Sequence, residues 1–283
     1  MARTKTTSNP PPVDYRALYH WAPEALLAET SKITTLEDLE AYKDSERDED
    51  KSRIFGKEHD RFVKVMPCRK GELVCADDAM DAEDPFFFLY ATVFKRIKLR
   101  LPFTGFKRAL LTEVNETLAQ LHPNSWAFIR AFSILCDHFG HTPSVDAFLY
   151  FFEAKSHGKR LWVSFNGVAG RVLLSLFQQS NKGFKGKFFN VRCSAFDSTL
   201  LDGFLLYWVK EPGLKKPRRL EDLNPLRSRN LQVLFHVGVG VRHRRTDKVR
   251  VLPRLPQEAY WYFPFLYLRS FCVYSYLLMC LPN

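Results

Sequence analysis

The hydrophobic pattern is strongest between residues 84 and 152. After Asp84-Pro85 the composition changes abruptly to Phe86-Phe87-Phe88-Leu89-Tyr90, and Phe87, Tyr90, Phe94, Ile97 and Leu101 recur every three or four residues. Lys95, Arg96, Lys98 and Arg100 lie between them, so the spacing predicts an amphipathic helix with a basic outer side, stopped by Pro102. Thr104 can cap a second helix through Phe106, Leu110, Leu111, Val114 and Leu118. Asn124 or Ser125 can cap a third through Trp126, Ile129, Phe132 and Leu135, with Gly140 at its left-handed end. Ser144 caps a fourth carrying Phe148, Phe151 and Phe152.

Past Gly158 the period changes. Leu161, Val163 and Phe165 alternate with Trp162, Ser164 and Asn166, as in a half-buried strand. Residues 172–177 and 188–191 are further strand candidates around a Gly/Lys-rich turn at 181–186, and the apolar segment 200–209 is a helix or strand closing the core. The expected architecture is α+β and mainly α, a helical bundle followed by a small antiparallel sheet, with a disordered acidic leader and an irregular C-terminal extension.

Before residue 84 the pattern is weaker. Tyr15, Leu18, Tyr19, Ala22, Leu26 and Leu27 have helical spacing interrupted by Pro23, which predicts a short helix in two pieces. Thr34 and Glu37 form a capping box for a helix through Leu36, Leu39 and Tyr42. That helix runs into residues 43–53, where nine of eleven side chains are charged, a solvated linker by composition. The chain therefore divides into a polar, largely disordered leader with short helices (1–83), a globular domain (84–226) and an extension (227–283).

Composition sharpens this division. Residues 1–84 carry 13 Lys+Arg against 19 Asp+Glu, and the remainder carries 29 against 12, so the overall charge of +11 combines an acidic leader with a basic body. A basic body suits a polyanion such as nucleic acid or an anionic membrane surface, and the leader can shield it from non-specific contacts. The 25 Phe residues supply the apolar area a folded core needs. Six dispersed cysteines (68, 75, 136, 193, 272, 280) and a polar, Pro-terminated start predict reduced thiols in a nuclear or cytosolic setting, the nucleus favoured.

Four of the motifs resemble, in order, a known family: Leu101-Pro102-Phe103, the turn from His122 to Trp126, the run from Pro143 to Phe148, and the run from Ser180 to Phe189. Together they resemble the plant gypsy-type transposon domain, historically labelled a transposase, over roughly residues 86–224. The most specific pieces are Pro123-Asn124-Ser125-Trp126 and the Asn-Lys-Gly-aromatic-Lys run at 181–189, where Phe184 stands in the place of the usual Trp. The resemblance implies a retrotransposon-derived protein with a gag-like structural role. It carries over no catalytic residue.

The candidate chemistry points the same way. A strand-transferring transposase needs three carboxylates around two metal ions. The domain's acids, Glu113, Glu116, Asp137, Asp146, Glu153, Asp197 and Asp202, fall mostly on predicted helix surfaces or caps with no spacing that gathers them. Cys136-Asp137-His138 with His141 lacks the second Cys/His pair of a zinc site and reads as a helix end with surface histidines. There is no nucleophile elbow, phosphate loop or dinucleotide fingerprint, so neither catalysis, metal nor cofactor is expected, and a transposase-like phosphoryl-transfer enzyme is the second reading.

Two basic motifs are the candidate nucleic-acid contacts. Lys182, Lys185 and Lys187 alternate with Phe184, Phe188 and Phe189, so ammonium groups can neutralise phosphates while an exposed ring stacks on a base; the competing account is a strand with core-facing rings and solvated lysines. Lys215-Lys216-Pro217-Arg218-Arg219 fits nuclear import or phosphate contact, or a solubilising linker. The expected partners are RNA or DNA and further copies of the chain.

The extension offers a third reading, tail anchoring. Residues 259–281 are long enough to span a bilayer. Arg269 near the middle costs about 2.5–3.5 kcal/mol, which offsets most of the roughly 3–5 kcal/mol from nine Leu, Phe and Val residues, so insertion is marginal. A helix packed on the domain, or a non-native tail from a mispredicted reading frame, are the alternatives, and the loss of patterning after Arg227 favours the tail.

Overall fold

The computed structural model describes residues 14–43, 63–77, 86–156, 161–171, 173–174, 183–193, 205–213 and 216–219. The charged run beyond residue 43, Lys182, Asp197, Asp202, Lys215 and the extension 227–283 lie outside these residues, as does most of the strand candidate at 172–177.

In chain order the elements are α1 (Tyr15–Leu18), α2 (Glu24–Leu27), α3 (Leu36–Lys43), β1 (Val63–Met66), β2 (Phe86–Tyr90), α4 (Ala91–Lys95), α5 (Gly105–Val114), α6 (Pro123–His138), α7 (Val145–Phe151), β3 (Phe152–Ser156), β4 (Val163–Gly167) and β5 (Phe188–Cys193). Strands β1, β5 and β2 form an antiparallel sheet with β5 in the middle, and β3 pairs antiparallel with β4. Leu121 bridges Val163 in parallel fashion, which ties the start of α6 to β4.

The expected helical bundle followed by a sheet is not what forms. About 34% of the described residues are helical and 20% lie in strands, and strands come before, between and after the helices. The main error is at residues 86–101, where the predicted long helix is instead β2, the five-residue α4 and an irregular segment. Five consecutive apolar residues satisfy a helical period and a doubly covered strand equally well. Pairing with β5 decides between them, from Phe86 opposite Arg192 to Tyr90 opposite Phe188, and all five side chains are buried. Helix α4 ends at Lys95, and three residues later Lys98 takes a left-handed φ of 55°.

The leader is the second correction. Leu26, Ile33, Leu39, Leu73 and Val74 join the same hydrophobic core as Phe132 and Phe165. β1 pairs with β5 from Val63 opposite Cys193 to Met66 opposite Asn190. Net acidity hid these apolar positions because the charges sit between them rather than among them.

Other local signals hold, some with a shifted register. Pro23 separates α1 from α2 and precedes the first turn of the latter. The box at the start of α3 lies one residue later than its motif: the Asp38 carboxylate accepts from the Thr34 and Thr35 amides, and Thr35 Oγ1 accepts from the Asp38 amide. These bonds hold the Asp38 carboxyl below its usual range. Ser144 caps α7 by accepting from the Ala147 amide, and Gly140 takes a φ of 66° after α6.

Helix α6 starts at Pro123, before the predicted caps. His122 Nδ1 accepts from the Asn124 amide at 3.1 Å, while Ser125 Oγ is turned inward and accepts from the Phe165 amide of β4 at 3.0 Å. The expected alternation at 161–166 also gives way, since Trp162, Val163, Ser164 and Phe165 are all buried. Residues 205–213 form no helix or regular strand. They lie as a strap over the 115–120 turn, with Leu205 bridging Thr117 and the Gln120 side chain bonded to both backbone groups of Val209.

Candidate nucleic-acid interface

The 183–189 turn is built around Gly183, whose φ of 75° suits a residue without a Cβ. The turn sends Phe184 into the core, edge-on to Tyr90 and to His122 with ring centroids 4.9 Å away in each case. Phe188 and Phe189 are buried as well. The rings therefore hold the fold together and present no face to a base in this structure.

The lysines of the turn have separate roles. Lys185 Nζ lies 3.2 Å from Glu29 Oε1 and 4.4 Å from the centre of the Trp162 ring, so it joins the leader to the core by an ion pair and a cation–π contact. Lys187 is exposed, and its backbone is anchored by bonds to Phe184 and Ala91.

In the second motif, Arg218 is a structural clasp. Its Nη2 is 2.7 Å from Glu113 Oε1 on α5 and its Nε is 3.6 Å from Asp146 Oδ1 on α7. Its amide donates to the Leu149 carbonyl at 3.0 Å and its carbonyl accepts from Arg171 Nη1 at 2.7 Å. Lys216 and Arg219 remain on the exposed side of this segment.

A third basic region was recognised in the sequence only as the outer side of a helix. Residues 95–112 contain Lys95, Arg96, Lys98, Arg100, Lys107 and Arg108 and no acid. The fold gathers this stretch into the turn after α4 and the first turn of α5, and adds Arg130 from the middle of α6. Arg130 Nη1 donates to the carbonyls of Ile97 and Lys98. Lys107 is half-buried, and burial together with the Arg130 charge pushes it down to about 8. Six cations without an acid was the available signal, and the helical assignment spread them along one long face instead of around a turn.

The acids are dispersed. Glu113 and Asp146 meet at Arg218, Glu153 lies beside Lys155, and Asp137 is exposed. Glu116 is fully buried, neither carboxyl oxygen has a hydrogen-bond partner among the described residues, and burial pushes it up to about 9. Among the described residues no group of three His, Cys, Asp or Glu side chains is placed to hold a metal ion. Cys136 is buried, with its thiol pushed up to about 12 by desolvation, while His138 is exposed and His141 half-buried. No helix among the described residues is long and apolar enough to cross a membrane.

The segment from the end of β2 through β3 thus combines the acid-free basic stretch with buried ring pairs such as Phe132–Phe148 and Phe148–Phe152. Residues 89–156 match the family model described as "Putative gypsy type transposon". Over this segment the chain is similar to a gypsy-type transposon domain. Comparison with curated proteins and with solved structures gives no match. Lys107, Arg108 and Arg130 fall inside the matched transposon-type segment, whereas the motifs at 182–189 and 215–219 fall after it.

Proposed function

We propose that this chain is a non-catalytic, retrotransposon-derived protein of gag-like type that binds RNA or DNA through its basic turn and α5, with self-assembly as the accompanying activity. The observation that carries this reading is the acid-free run from Lys95 to Arg108 within the transposon-type segment. Six cations within one stretch of sequence that holds no acid favour a polyanion, and binding releases the counter-ions condensed on it. Exposed Lys187, Lys216 and Arg219 extend the basic surface available to a long ligand. A basic body of this kind also fits residence in the nucleus.

The test is a binding titration of the purified full chain against labelled RNA and DNA oligonucleotides over a salt series from about 50 to about 200 mM. Log affinity is expected to fall linearly with log salt. The full chain is required because the leader contributes to the core. Absence of binding at the lowest salt would overturn the nucleic-acid reading, and a single monomeric species at all concentrations would overturn self-assembly.

A further inference from the structure

The strap at 205–213 meets the domain at spaced points. Leu205 bridges Thr117, Tyr207 lies edge-on to Phe86 at 5.6 Å, and Trp208 packs against Trp162 at 5.3 Å. Gln120 Nε2 donates to the Val209 carbonyl at 2.9 Å, and the Val209 amide donates to Gln120 Oε1 at 3.2 Å. Within the strap only Trp208 is buried. A segment that buries so little of itself belongs to the low-stability end of a fold.

The contact between strap and turn leaves polar groups unmatched. Glu116, fully buried, lies between Asn115 and Thr117, and the strap touches both of these neighbours. Leu205 is at Thr117, and a Cβ on Gly213 would fall 3.1 Å from Asn115 Cβ and 2.7 Å from the Val114 carbonyl oxygen. Neither Glu116 carboxyl oxygen nor the Trp208 indole nitrogen has a hydrogen-bond partner among the described residues. Unpaired buried groups oppose the packed arrangement, because water satisfies them as soon as it reaches them.

Burial alone raises the proton affinity of Glu116, with no contribution from a charged group among the described residues. On α5, Glu113 pairs with Arg218. After the turn, His122 Nδ1 is taken by the Asn124 amide. On the strap, Lys210 lies over the Trp21 ring at 5.8 Å and Glu211 is exposed.

We infer that the strap is a latch: residues 205–213 lift from the 115–120 turn while the rest of the core stays folded, and lifting lets Glu116 ionise in water. The closed latch holds Glu116 protonated, and the open latch returns the carboxyl to its ordinary range. One proton therefore leaves on opening, so the opening constant rises about tenfold per pH unit between about 4.5 and about 9. Closure is strongest below about 4.5 and weakens as pH rises through this window. Opening uncovers Trp162 and Gln120, both buried beneath the closed strap. The competing account is a Glu116 that meets water only when the whole chain unfolds.

The test is amide hydrogen exchange of the full chain between about pH 5 and about pH 8, corrected for the intrinsic pH dependence of exchange. The Val209 amide reports on the strap, and the Phe165 amide, bonded to Ser125 Oγ, reports on the core. In wild type, Val209 is expected to open at least about tenfold more than Phe165, with the one-proton slope. In Glu116→Gln the Val209 slope should vanish. Gly213→Ala, which presses a methyl group on the Val114 carbonyl, should raise Val209 opening roughly tenfold and leave Phe165 unchanged. Equal opening of Val209 and Phe165 in wild type, or an equal rise of both in G213A, would overturn the latch. A Val209 slope that is absent in wild type or persists in E116Q would overturn its link to Glu116.

Discussion

The Trp162 indole Nε1 donates a hydrogen bond to the Tyr90 hydroxyl at 3.0 Å, joining the end of β2 to the residue before β4. Both side chains are buried, and Tyr90 also packs edge-on against Phe184 while Trp162 packs against Trp208 at 5.3 Å. This bond links the two sheets through a polar pair inside an aromatic core, where an unpartnered N–H is costly.

Tyr90→Phe keeps the ring and its contacts but leaves Trp162 Nε1 without an acceptor. The expected loss is about 1–3 kcal/mol of unfolding free energy, the range for a buried donor stranded by removal of its partner. Chemical denaturation of wild type and Y90F measures it, and equal midpoints would show that the bond contributes nothing to stability.

Glu116→Gln should stabilise the protein at neutral pH and above. Burial pushes the folded carboxyl up to about 9 from its ordinary 4.5, so between these pH values the native state retains a proton that the unfolded chain releases. The contribution is fully present below about 4.5 and is lost as pH rises through about 9. Gln cannot ionise, so E116Q should match wild type near pH 4.5 and exceed it by on the order of 2–3 kcal/mol at pH 7. Denaturation midpoints across that range test the slope. An identical pH dependence in both proteins would exclude Glu116 as its source.

Lys185 and Lys187, two residues apart on one turn, should separate stability from binding. Lys185→Gln loses the Glu29 ion pair and the Trp162 cation–π contact and should cost about 1 kcal/mol, since the pair is largely shielded but not fully buried. Lys187→Gln should leave the unfolding midpoint unchanged and weaken oligonucleotide affinity uniformly across sequences. Unfolding and binding measured on both variants would show the opposite pattern if Lys185 were the phosphate contact.

A fragment spanning residues 84–226 should fail to unfold cooperatively. It lacks β1, which leaves β5 as an exposed edge, and it lacks Leu26, Ile33, Leu39, Leu73 and Val74, each worth about 1.5–3 kcal/mol of burial. That sum exceeds the usual stability of a domain. A sharp thermal transition for the fragment, equal to that of the full chain, would show that the leader is dispensable.

Local chemistry was legible wherever a short range of residues decides it. Ser144 must cap because its hydroxyl reaches an amide three residues on, Gly140 can take a left-handed φ without strain, and Pro23 divides the first helical pattern. The same applies to the basic character of residues 95–108, which is a matter of composition.

What these residues do next depended on partners distant in the chain. Phe86 to Tyr90 became a strand because β5, about a hundred residues later, offered a ladder, and burial of both faces of β2 outweighs a helical period. Phe184 and Arg218 read alike as ligand contacts in sequence, but the first fills a gap between Tyr90 and His122 and the second neutralises Glu113 and Asp146. Residue types and spacing determined the local turns, caps and charge of this protein; only the packed chain decided which rings and cations are used up inside it, because burial and pairing depend on contacts no local pattern encodes.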